Sequence, residues 1–87
     1  MTRDNVLARL EALVATIAGP ERMPDGAGPD TPLGDEGFWF DSLDMLEVIL
    51  ACEREFGVIF DARSDLSPDA LLTPRRLATL VRSRLEG

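Results

Sequence analysis

The sequence contains no histidine and a single cysteine, Cys52. Without an imidazole the Ser-His-Asp and Cys-His arrangements of nucleophilic catalysis are unavailable, and one thiol alone cannot assemble the usual zinc or haem ligand sets. One cysteine also rules out an intrachain disulfide. No apolar run reaches the roughly 18 residues of a membrane-spanning helix, and no charged-then-apolar leader opens the chain. These absences predict a cytoplasmic protein with neither a membrane span nor a secretory signal. A length of 87 residues, 45% of them hydrophobic, suits one small domain over residues 1–87 with a single core and little room for a deep active site. The expectation is a protein without catalysis of its own.

Positive charge is scarce in the middle of the chain. From Asp25 to Glu55, nine acids (Asp25, Asp30, Asp35, Glu36, Asp41, Asp44, Glu47, Glu53 and Glu55) stand against Arg54 alone, a local balance of −8 within a formal charge of −7. From Pro74 onward the balance reverses, with Arg75, Arg76, Arg82 and Arg84 against Glu86. An acidic middle repels nucleic-acid phosphates and anionic lipid, so neither nucleic acid nor membrane is an expected partner, and it attracts basic protein patches. A solvated surface that only aids solubility would carry the same charge.

The first predicted helix runs from about Thr2, a capping residue, to Ala18, with Val6, Leu7, Leu10, Leu13, Val14 and Ile17 on one face. Gly19-Pro20 ends it. From Glu21 to Phe38 the breakers Pro24, Pro29 and Pro32 with Gly26, Gly28, Gly34 and Gly37, following Pro20, predict loop, anchored in the core by Met23 and Leu33. A loop of this length can span the length of an antiparallel helix pair, since a parallel return from the end of the first helix requires a long connection, placing the second helix alongside the first with Ser42 at one pole of a bundle. Phe38-Trp39-Phe40 closes the loop. In an extended segment successive side chains alternate, so Phe38 and Phe40 turn inward and fix the approach to the next helix, while Trp39 is left exposed, either as a by-product or as a contact for a partner.

The stretch from Phe40 to Phe56, FDSLDMLEVILACEREF, is the centre of the chain. At about 100° per residue, Met45, Val48, Ile49, Cys52 and Phe56 share a core face, and Leu43, Glu47, Leu50 and Arg54 share the opposite one. Cys52 on the core face reads as a small buried hydrophobe. Leu43 and Leu50 bracket Glu47 on the acidic side, which has the form of a docking surface with an apolar centre and a charged rim. Asp41 caps this helix and Ser42 lies in its first turn. Both residue types occur at helix starts for hydrogen bonding alone. A first-turn serine hydroxyl nevertheless sits among unpaired amides at the positive end of the helix dipole, where an attached phosphate would be favoured.

After Phe56, Gly57 supplies a left-handed cap and Val58-Ile59-Phe60 reads as a loop anchored in the core. Ser67-Pro68 starts a short helix through Leu72, and Thr73-Pro74 starts the last through Leu85, with Leu77, Leu80, Val81 and Leu85 as its stripe and its arginines outward. The predicted fold is all-α, with three main helices, one short helix and a long loop between the first two.

Asp41-Ser42-Leu43, followed by Asp44 and Glu47 and closed by Glu55-Phe56-Gly57, in an acidic chain with this helix order, resembles the acyl carrier protein family over essentially the whole sequence. The resemblance implies an acyl-carrier-like four-helix bundle and a monomer. It implies that Ser42 bears 4′-phosphopantetheine, transferred from coenzyme A by a separate phosphopantetheinyl transferase, with Asp41 assisting at that site. Leu43, Asp44, Glu47 and Leu50 match the positions through which family members meet basic patches on ketosynthases, acyltransferases and other acyl-processing enzymes. Arg54 stands where fatty-acid carriers usually have an acid, the segment from Phe56 to Thr73 is slightly extended, and the aromatic triplet resembles that of stand-alone carriers of bacterial secondary metabolism. A polyketide or related carrier is therefore expected first, then a carrier of fatty-acid synthesis, then an aminoacyl or peptidyl carrier. The expectation of a different class is a small helical adaptor with an unmodified Ser42. An enzyme ranks last, since only carboxylates could serve as a general base and no pair of them has a buried setting that would raise a pKa.

Overall fold

Helices α1 (Val6–Ala18), α2 (Ser42–Phe56) and α3 (Pro74–Glu86) make up the regular structure of the computed structural model, which describes residues 5–86. Among these there is no strand, as the all-α reading expects. The predicted cap Thr2 lies outside the described residues. Each helix is built on the apolar period of its sequence. Val6, Leu10 and Val14 of α1, Val48 and Cys52 of α2, and Leu77, Ala78 and Val81 of α3 have almost no exposed surface, while Leu7, Leu13, Ile17, Met45, Ile49 and Leu80 pack around them half-buried.

Two arginines define the direction of the helices. Near the start of α1, the Arg9 guanidinium donates to the Glu55 carboxylate and backbone carbonyl at the end of α2 and lies 4.7 Å from the centre of the Phe56 ring. Just beyond the end of α1, Arg22 joins the Ile17 and Ala18 carbonyls to Asp44 in the first turn of α2. Helices α1 and α2 are therefore antiparallel. The loop between them begins and ends at one pole of the bundle, and its length is not spent on a traverse, contrary to the sequence-based expectation. It covers that pole instead: Leu33 N–H donates to the Leu72 carbonyl (2.9 Å) and Arg75 N–H to the Pro29 carbonyl (2.9 Å), tying the loop to the start of α3. At the other end Arg84 pairs with Asp65, in the segment that follows α2. Thus α3 runs parallel to α2, and the connection that has to travel the bundle, about 22 Å for a helix the length of α2, is the one from Gly57 to Thr73.

That connection contains no fourth helix. Ser67 Oγ accepts from Ala70 N–H at 3.1 Å and the Ser67 carbonyl from Leu71 N–H at 3.2 Å, so the cap and one turn form as the sequence suggests, but the turn does not propagate. A single turn is an unfavourable nucleus on its own, and Pro74 both lacks a donor and pushes the residue before it out of helical conformation. Thr73 turns its hydroxyl to the Arg76 N–H (3.1 Å) and caps α3. Val58 and Phe60 are buried and Ile59 between them is 78% exposed, the alternation of an extended anchor. Of the two loop anchors expected from sequence, Leu33 is fully buried but Met23 is 39% exposed; Ala27 packs against the core in its place. In α3, Leu85 is also more open than the stripe requires, at 41%.

Candidate functional site

Ser42 is the first residue of α2 and is exposed, and its hydroxyl takes part in none of the hydrogen bonds that hold this helix end. Those bonds belong to its neighbours. Asp41 has extended backbone (φ −90°, ψ −172°) and accepts from Asp44 N–H at 2.9 Å, while Asp44 accepts from Asp41 N–H at 3.1 Å, a reciprocal cap that satisfies two first-turn donors. The amides of Ser42 and Leu43 have no partner within the helix. An anion esterified to Ser42 would meet them and the positive end of the helix dipole, so the donor set fits a phosphate group.

The approach to Ser42 is tied back to the preceding loop by backbone hydrogen bonds. Phe38 N–H donates to the Pro32 carbonyl (2.9 Å), Trp39 N–H to Gly34 (2.8 Å) and Phe40 N–H to Leu33 (2.9 Å). Phe38 and Phe40 are buried, 5.4 Å apart between ring centres, and Trp39 is 61% exposed. The pattern of burial matches the alternation read from sequence, but the backbone does not: Trp39 has φ 60°, in the left-handed region that a bulky residue seldom occupies. The loop folds back on itself here, so the outward turn of the indole comes from a local backbone reversal held by its neighbours' hydrogen bonds.

On the outer face of α2, Leu43 is 75% exposed, Leu46 51% and Leu50 44%, with Glu47 and Arg54 exposed beside them. Leu43, Glu47 and Leu50 thus share an open face, and Trp39, three residues before Ser42, is exposed as well. Leu46 belongs to the same apolar strip and was not singled out from sequence, although its position one turn after Leu43 and one before Leu50 carries the signal. Asp44 lies apart from this open face in its engagement. Arg22 Nη1 donates to Asp44 Oδ2 at 2.7 Å, and this bond, followed by the backbone bond within the cap, holds the carboxyl below the ordinary value of 3.8. Asp44 itself raises the Arg22 guanidinium further above its usual range. Arg22 sits in the long loop with no periodic partner, and nothing in the sequence marks it. Cys52 is buried, as its position on the core face predicts, and burial pushes its thiol up to about 12.

The profile of the phosphopantetheine attachment site family matches residues 8–82. No curated protein and no solved structure matches the chain. The family match takes in all of α2 and most of α1 and α3, and by it the chain belongs to the phosphopantetheine-binding carrier domains, which hold 4′-phosphopantetheine covalently.

Proposed function

We propose that the chain is a discrete acyl carrier with its 4′-phosphopantetheine on Ser42, serving a polyketide or related secondary-metabolite pathway. The exposed, uncommitted hydroxyl of Ser42 at the first position of a capped helix carries this reading. In the loading step Ser42 Oγ bonds to the phosphorus that bears the pantetheine in coenzyme A, its proton passes to a base of the transferase, and the adenosine bisphosphate leaves. When bound, the arm supplies a terminal thiol on which acyl groups travel as thioesters. The residues of this chain hold and present it. Asp41 and Asp44 keep the helix end formed, the first-turn amides face the phosphate, and Trp39, Leu43 and Leu50 with Glu47 offer an apolar strip with an acidic rim to successive partners.

Carrier domains meet a phosphopantetheinyl transferase and acyl-processing enzymes in turn, and tethering raises the effective concentration of the cargo at each. Glu47 and Asp41 suit basic docking patches, which accelerate encounter while affinity stays modest enough for release. Catalysis is left to those partners, since the one thiol of the chain is buried. The pathway assignment is supported by the exposed Trp39 and its two buried neighbours directly before Ser42, and by Arg54, for which a partner would need a complementary acid. Intact mass after incubation with coenzyme A, magnesium and a broad-specificity transferase tests the attachment point. Wild type should gain one phosphopantetheine and Ser42→Ala none; a folded wild type that gains nothing would point to an unmodified adaptor.

A further inference from the structure

Arg22 is committed on every side. Its Nε and Nη2 donate to the Ala18 and Ile17 carbonyls (3.3 and 3.1 Å), its Nη1 donates to Asp44 Oδ2 (2.7 Å), and the guanidinium lies 5.3 Å from the centre of the Phe40 ring. The two carbonyls belong to the last turn of α1, which leaves them without helical partners and carries no basic residue of its own. Asp44 Oδ2 also accepts from Asp41 N–H, so a cation from outside that took this oxygen would have to displace the guanidinium and leave those carbonyls to water. The pair also sums to no net charge, so what remains at this end of α2 to attract a basic patch is Asp41 and Glu47.

We propose that Arg22 determines the specificity of the docking face: it retains Asp44 inside the chain, so partners dock through a cation opposite Glu47 or Asp41 and must present no cation opposite Asp44. This rests on the carrier reading. It changes the expected contact set, because Asp44 then shapes the helix end and Arg22, with its side chain 39% exposed against 18% for Asp44, is the charge a partner meets there.

The test is a double-mutant cycle on the KM for a phosphopantetheinyl transferase, using wild type, Arg22→Gln, Asp44→Asn and the double variant. If Arg22 retains Asp44, Arg22→Gln releases an acid and lowers KM, Asp44→Asn releases a cation and raises it, and the double variant returns to the wild-type value. Each single change should be about two- to fivefold, the scale of one rim charge pair. An unchanged KM for Arg22→Gln, with the double variant as impaired as Asp44→Asn, would mean that the transferase contacts Asp44 directly and would overturn the proposal. The wild type gives a second reading that no variant's folding can confound. With transferase added in the absence of coenzyme A, the Arg22 Nη–H resonances, which report the bond to Asp44, should keep their positions; a shift to those of an unpaired arginine would overturn the proposal equally. A wild type that takes up no phosphopantetheine would instead fail the carrier reading, and the proposal with it.

Discussion

Gly37→Ala tests how the approach to Ser42 is held. A methyl group on Gly37 would lie 1.9 Å from the Pro32 carbonyl oxygen and 2.8 Å from its carbon, where ordinary contact begins at 3.4 Å. The backbone must therefore open by about 1.5 Å, the difference between 3.4 and 1.9 Å. That opening breaks the Phe38 N–H bond to Pro32 (2.9 Å) and strains those of Gly37 and Trp39 to Gly34 (3.3 and 2.8 Å) and of Phe40 to Leu33 (2.9 Å). Losing two or three such bonds at about 1 kcal/mol each costs about 2–3 kcal/mol. The stiffer unfolded chain returns roughly 0.4–1 kcal/mol, for a net loss of about 2 kcal/mol. In a domain of this size that lowers Tm by about 8–16 °C. Far-UV circular dichroism on heating measures it, with Gly34→Ala as the control: nothing lies within 4 Å of a methyl there, so that change should be neutral or slightly stabilising. A Gly37→Ala protein within about 0.5 kcal/mol of wild type would refute the reasoning, because the only ways to absorb the contact pass through those bonds.

Two other outcomes are expected. With the Cys52 thiol pushed up to about 12 and fully buried, only about one part in ten thousand is thiolate at pH ~8. Native unmodified protein should thus be inert to a thiol reagent and the loaded protein should show one fast thiol; a fast thiol in the unmodified native protein would contradict the burial of Cys52. Asp44, Asp30 and Asp61 are all held below the ordinary value of 3.8, by Arg22, by Arg75 and by the Ser64 and Arg63 amides respectively. A lowered native value contributes stability that is fully present above the unfolded value and disappears as pH falls through the native one. Urea midpoints should therefore hold steady down to about pH 5 and decline below about pH 4, with a shallower decline in Asp44→Asn; a midpoint that rose on acidification would refute the assignment.

What the sequence made legible follows the range of the interactions involved. The apolar periods of α1, α2 and α3, the Asp41 cap and the Gly57 terminator are local, and each is visible within a few positions. The exposure of Leu43 and Leu50 was legible for the same reason. Directions were not. The antiparallel course of α1 and α2 depends on Arg9 reaching Glu55 and Arg22 reaching Asp44, across 46 and 22 positions, and no period links such residues. Met23 failed as an anchor because a lone apolar residue in a loop has no repeat to fix its side, whereas Leu33 is held by backbone bonds on both its N–H and its carbonyl. Trp39 shows a correct exposure reached through the wrong backbone, since a positive φ at a tryptophan is a product of the surrounding bonds and has no mark in the sequence.

The same long-range contacts explain why Ser42 sits where an anionic group can be tolerated in so acidic a chain. Helices α2 and α3 are parallel, so their positive ends share one pole, but α1 is antiparallel to them and brings its negative end to the same place. The last carbonyls of α1 would oppose an anion on Ser42, as would Asp44. Arg22 covers both at once, taking the Ile17 and Ala18 carbonyls with two nitrogens and Asp44 with the third. A lysine, with a compact ammonium in place of a planar fork, could not reach all three from one position. On this argument the loop is long because it has to return to the pole it left, cover it, and deliver Arg22 and Phe40 to opposite sides of one contact before the chain enters α2 at Asp41.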